Sequence, residues 1–126
     1  MNTLSLQIDA DGIALITLDD PSRPMTVVRP ECLDEMTPTG EQTAADDSVK
    51  GVLITSAKSA FMAGADLKYL MGRFEAEMSL LEAYAFSQKA SGLHRRMETC
   101  GKPFAAALNG LALGGGFELA LACHYR

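Results

Sequence analysis

The stretch from Phe86 to Leu108 constrains the fold of this chain more than any other. Phe86, Ala90, Leu93 and Met97 recur at spacings of four, three and four residues, the apolar stripe of an amphipathic helix. Gly101 follows where a helix-ending glycine belongs, and Pro103 comes two residues later. Phe104 to Leu108 (FAAAL) then reads as a buried strand with almost no linker before it. A helix delivered directly onto a buried strand is a building unit of an α/β sheet. The clearest helical region is 75–100.

The remaining segments repeat that alternation. Leu4, Leu6 and Ile8 alternate with Ser5, Gln7 and Asp9, the period of a half-buried strand. Asp11-Gly12 is a hairpin turn signal, and Ile13 to Leu18 is the second strand. The prolines of DDPSRP, residues 19–24, then break the chain. Pro30 suits a helix start, but Pro38 and Gly40 follow within the same stretch. A proline inside a helix costs about 3 kcal/mol, so residues 30–47 are expected to form a short or broken helix. Residues 49–55 (VKGVLIT) read as a buried strand and 61–66 (FMAGAD) as a loop of small residues, with a short helix starting over Leu67 to Met71. Asn109-Gly110 signals a turn, and Gly114-Gly115-Gly116 leads into a helix from Phe117 to about Cys123.

Composition removes several classes of function. The 126 residues amount to about one domain. With 48% apolar and 21% charged residues, the chain is not disordered. A net charge of −5 with no basic block excludes a nucleic-acid binder. Cys32, Cys100 and Cys123 lie far apart with no CxxC pair, which argues against disulfides or a metal site and fits a reducing compartment. The N-terminus shows no secretory pattern, so a cytoplasmic location is expected. Residues 104–123 are long and apolar enough to cross a bilayer, but their glycines, the Asn-Gly turn and Glu118 oppose it, and no membrane span is expected.

Two segments suit close approach of a ligand to the backbone. In Ala63-Gly64-Ala65-Asp66 the small side chains leave peptide N–H groups unshielded, and Asp66 can cap the following helix. Gly114-Gly115-Gly116 precedes a helix, whose first N–H groups are unpaired and carry partial positive charge. Two such N–H groups converging on one oxygen make an oxyanion hole, whereas a tight turn packed on a strand explains the glycines equally well. Glu118, three residues after Gly115, shares its helix face and would set a carboxylate beside the Gly115 N–H. In the apolar run FELALAC a buried carboxylate is costly without a function, although a glutamate in a first helical turn is also favoured by the dipole. His94, between Leu93 and Arg95, reads as solvated or partly packed, and His124 has no second ligand in view.

FMAGADLKYL and, about thirty residues later, KPFAAALNGLALGGGFELALACHYR together resemble the crotonase (enoyl-CoA hydratase/isomerase) superfamily. The second motif is most similar to the hydratase region of multifunctional fatty-acid oxidation enzymes, which carry a 3-hydroxyacyl-CoA dehydrogenase region further along. The resemblance implies an α/β fold built as a repeated ββα spiral. It implies a lyase that adds water in syn fashion to 2-trans-enoyl-CoA, giving 3-hydroxyacyl-CoA in fatty-acid β-oxidation. Ala65 and Gly115 match the two oxyanion-hole N–H groups, Glu118 matches one of two catalytic glutamates, and Ala63, Gly64, Asp66 and Leu67 match positions lining the CoA and acyl site. The hydration step needs no cofactor, coenzyme A being part of the substrate, and NAD enters only if a dehydrogenase region follows. The partner is an acyl-CoA thioester, and the complete protein can form a homo-oligomer.

The departures from the family pattern set further expectations. The family's second catalytic glutamate lies in a Pro-Glu motif past the glycine-rich helix, and no glutamate follows Glu118 here. Residues 1–126 are therefore expected to be an incomplete crotonase-like domain, truncated on its C-terminal side, inactive alone and of doubtful independent stability. Thr26 stands where asparagine is common. Enoyl-CoA isomerisation, other acyl-CoA chemistry on the same oxyanion hole, and a non-enzymatic fragment are the alternative readings.

Overall fold

The computed structural model describes residues 3–126. Met1 and Asn2, the first residues of the segment read for a leader, lie outside them. The hairpin forms where the alternation places it. Strand β1 (Leu4–Ile8) pairs antiparallel with β2 (Ile13–Leu18), Leu4 opposite Leu18 and Ile8 opposite Ala14. The Asp9 carboxylate accepts from the Asp11 and Ile13 N–H groups, each at 2.9 Å, and Gly12 takes the left-handed turn at φ +84°. Strand β3 (Gly51–Ser56) adds parallel to β2, and β4 (Phe104–Ala106) adds parallel to β3. The sheet order is β1-β2-β3-β4.

After each parallel strand the chain makes a short bridged stretch and then a helix. Val28 precedes α1 (Pro30–Ala45), Met62 to Ala65 precede α2 (Leu67–Glu75) and α3 (Leu80–Thr99), and Ala112 precedes α4 (Gly115–Ala122). These stretches pair in parallel, Val28 with Ala65 and Met62 with Ala112. The result is the expected ββα spiral, and Tyr125 pairs with Ala105 as a further bridge beside β4. Ile16, Leu18, Val52, Ile54 and Phe104 fill one side of the sheet, and Leu33, Met36, Leu93, Met97 and Leu119 pack with them from the helices. Each such side chain contributes about 1.5–3 kcal/mol when fully buried.

Three expectations about helices are corrected. The helix over residues 30–45 is continuous despite Pro38. Pro38 lies on the exposed side, as does Asp34, whose carbonyl loses its amide partner, while Cys32, Leu33, Met36, Gly40 and Thr43 hold the opposite face in the core. Tertiary packing outweighs the local penalty. The region 75–100 is not one helix: the chain breaks after Glu75, and α3 restarts at a capping box. There the Ser79 hydroxyl accepts from the Glu82 N–H at 3.2 Å and Glu82 accepts from the Ser79 N–H at 2.9 Å. The last helix begins at Gly115 rather than Phe117. Residues 104–123 divide into a three-residue strand, a loop and an eight-residue helix, and among the described residues no helix is long and apolar enough to cross a membrane.

Candidate active site

The two loops singled out by their small residues lie side by side. The Ala63 N–H donates to the Thr26 carbonyl at 2.9 Å, the Val28 N–H to the Gly64 carbonyl at 2.7 Å, and the Asp66 N–H to the Val28 carbonyl at 3.0 Å. On the other side the Met62 N–H donates to the Leu111 carbonyl at 3.2 Å, and the Leu113 N–H to the Met62 carbonyl at 3.1 Å. This zipper brings Gly64, at φ +86°, so close to the second loop that a Cβ there would lie 3.0 Å from the Leu113 carbonyl oxygen. Ala65 and Gly115 each follow one residue after the Gly64–Gly114 contact. Neither the Ala65 N–H nor the Gly115 N–H donates to another described residue. Two donors without a partner thus stand on adjacent loops, the second on the first residue of α4, where the helix dipole adds partial positive charge.

Gly116 shows why the glycine run is required. A Cβ there would sit 2.3 Å from the Met62 carbonyl oxygen, so any side chain would push α4 off the second turn of the spiral. At Gly115 the same construction meets Val28 at 2.9 Å and the Glu118 Oε2 at 3.8 Å. The carboxylate therefore lies over the residue whose N–H is free, as the three-residue spacing requires. Contrary to expectation, Glu118 is exposed rather than buried, because α4 packs through Gly116, Leu119, Ala120 and Ala122 and leaves its other face open.

Behind Glu118 lies a cavity of about 30 Å³, lined by Met36 of α1, Leu93 and His94 of α3, and Gly115, Glu118 and Leu119 of α4. Among its lining residues Glu118 is the only carboxylate. His94 was not expected in this place. It follows Ala90 by four residues, so it borders the apolar stripe of α3, and α4 then packs against that border. Burial lowers its pKa, and the charges of Glu118 and Glu98 oppose that shift in part.

The remaining positions have distinct surroundings. Ala63 and Ala65 are half-buried and Gly64 is buried. Leu67, the first residue of α2, is 72% exposed beside the loop. Asp66 is buried and its carboxylate is already engaged: it accepts from the Lys68 and Tyr69 N–H groups at 3.1 and 3.2 Å and from Arg23 Nη2 at 2.5 Å. Arg23 also lies near Asp20, which is 1% exposed and receives Arg29 Nη2 at 2.8 Å and the Ser22 N–H at 2.9 Å. Burial pushes the Asp20 carboxyl up, but the Ser22 hydrogen bonds, then Arg29 and Arg23, outweigh it and hold the group below the usual carboxylate range. This Asp20–Arg23–Asp66 chain braces the loop that presents Ala65. No local spacing announces it, since Arg23 and Asp66 are 43 residues apart. Among the described residues no three His, Cys, Asp or Glu side chains cluster as metal ligands.

Comparison with known proteins gives a consistent picture. The chain is 37% identical over 123 residues to the fatty acid oxidation complex subunit alpha of Idiomarina loihiensis, and 39% identical over 125 residues to that of Shewanella halifaxensis. These alignments take in 97% and 98% of this chain but 17% of each relative, so the chain spans about a sixth of the relatives' length. Among solved structures, an enoyl-CoA hydratase from Bacillus anthracis superposes with a TM-score of 0.86 at 28% identity, over 99% of this chain and 46% of the other. An enoyl-CoA hydratase/isomerase from Xanthobacter autotrophicus superposes at 0.80 with 33% identity, over 98% of this chain and 44% of the other. Both carry the spiral described above, the crotonase fold. The sequence model described as enoyl-CoA hydratase/isomerase matches residues 9–126, and with that match over nearly its whole length the chain belongs to the enoyl-CoA hydratase/isomerase family.

Proposed function

We propose that this segment holds the thioester of a 2-trans-enoyl-CoA and takes part in adding water across its double bond. The Ala65 and Gly115 N–H groups donate to the thioester oxygen as it gains enolate charge. Glu118 serves as one acid/base group of a syn addition that sends the hydroxyl to C3 and hydrogen to C2, giving 3-hydroxyacyl-CoA. Ala63, Gly64 and Leu67 border the acyl-CoA, and Asp66 acts from beneath by fixing the loop. One observation carries the reading: two unpaired N–H groups lie on adjacent loops, with the Glu118 carboxylate over the second. The relatives' designation as fatty acid oxidation subunits supports β-oxidation as its setting.

Water addition needs both an acid and a base, and the cavity here has Glu118 as its sole carboxylate. The 126 residues expressed alone are therefore proposed not to be competent, and the second group is proposed to come from a part of the fold that the solved relatives have outside the aligned region. The test is hydration of crotonyl-CoA by the natural protein that carries these residues, followed by loss of enoyl absorbance. Glu118→Gln is expected to lower any such kcat by about 10²–10⁴-fold. Turnover of a 3-enoyl-CoA alone would replace hydration by isomerisation. Rapid hydration by the 126 residues alone would refute the single-carboxylate argument.

A further inference from the structure

The cavity behind Glu118 contains one group that the proposed reaction does not use. His94 reaches it from α3, and Met36, Leu93 and Leu119 surround it with apolar surface. Neither ring nitrogen is hydrogen-bonded to a described residue, and neither is closed off from water. The one carboxylate that lines the same cavity is Glu118, and its charge acts on the ring. The other titratable neighbours do not compete for it: Cys32 of α1 is buried, its thiol pushed up to about 11 and so neutral, and Glu98 lies one turn along α3 and does not line the cavity. The cavity volume of about 30 Å³ holds about one water, so the ring can act through a single bridge.

We propose that His94 is a positioning residue for Glu118: its neutral ring donates a hydrogen bond through one water that holds the carboxylate over Gly115 and the bound thioester. This inference rests on the reading of Glu118 as the acid/base group. Burial keeps the ring neutral, so one nitrogen donates while the other can accept, and the carboxylate is steered without gaining a fixed positive neighbour. A side chain at position 94 that fills the space but cannot donate would leave Glu118 free to swing toward solvent, where its exposure already allows it to go.

The experiment uses the natural protein that carries these residues in three variants. Phenylalanine in His94→Phe keeps the ring volume and removes the donor, whereas glutamine in His94→Gln keeps a donor. His94→Phe is expected to lower kcat for crotonyl-CoA about tenfold with little change in KM, and His94→Gln to recover most of that loss. Nuclear magnetic resonance of the ring, assigned by its disappearance in His94→Phe, should show His94 titrating at lower pH in Glu118→Gln than in the parent, since a facing charge has been removed. An unchanged kcat in His94→Phe, an equal loss in both His94 variants, or an unmoved titration in Glu118→Gln would each overturn the inference. Full activity in Glu118→Gln would instead overturn the functional reading beneath it, so the two failures are distinguishable.

Discussion

At the scale of single residues, the loop that carries Ala65 is braced by charges lying beneath it. Asp20 is nearly inaccessible, yet it stays ionised because Ser22, Arg29 and Arg23 surround it. Its carboxyl is held below the ordinary value of 3.8, so its stabilising contribution is complete above that value and is lost as the pH falls through the lower, folded one. Asp20→Asn leaves Arg29 with Glu31 and Arg23 with Asp66 as remaining partners, and is expected to cost about 1–2 kcal/mol at neutral pH. It should also remove this part of the acid-induced loss, which urea unfolding at pH 7 and pH 3 would measure. A variant whose stability matched the parent at both pH values would show that the pair is dispensable. The sequence makes the placing of Glu118 beside Gly115 and the two small-residue loops legible, because spacing within one helix and runs of small residues are local signals. Arg23, Asp20 and His94 reach the candidate site only through contacts that cross the fold, and a one-dimensional pattern does not carry those.

At the scale of elements, local rules succeed where packing agrees with them. The hairpin turn at Gly12 and the helix end at Gly101, with φ +84° and +88°, lie where the sequence puts them. The capping box at Ser79 and Glu82 is also a local signal, and it divides a region whose apolar stripe alone suggests one helix. In α1 the opposite happens: Pro38 argues for a break, and the buried face of Leu33, Met36 and Gly40 prevails. Pro38→Ala is therefore expected to stabilise the fold by up to about 3 kcal/mol, because the ring costs a hydrogen bond without supplying a core contact. Gly92, in the interior of α3, has no atom within 4 Å of the place a Cβ would take. Gly92→Ala should add about 0.5–1 kcal/mol. Thermal unfolding of both variants checks this, and a lowered midpoint in either would mean that the helix uses its irregularity.

At the scale of the whole molecule, the described residues leave much apolar surface open. Phe117 and Leu121 on α4 are 47% and 50% exposed, and Leu111 and Leu113 on the preceding loop 52% and 49%. Leu80, Leu81 and Tyr84 form a second such area at the start of α3, at 88%, 76% and 59% exposure. Patches of this kind mark surfaces that pack against something in the functional assembly. The 126 residues are expected to bind an apolar dye such as ANS strongly and to self-associate. Weak dye binding by a monomer would mean that these faces need no cover.

The zipper between the loops at Gly64 and Gly114 also bears on the order of events during synthesis. Each turn of the spiral docks on the one made just before it, so the structure can be laid down from the N-terminus without waiting for distant segments. The unpartnered N–H groups of Ala65 and Gly115 are both present once the third turn has left the ribosome, and Glu118 emerges three residues after the second of them. The pair of loops is thus a product of growth in one direction.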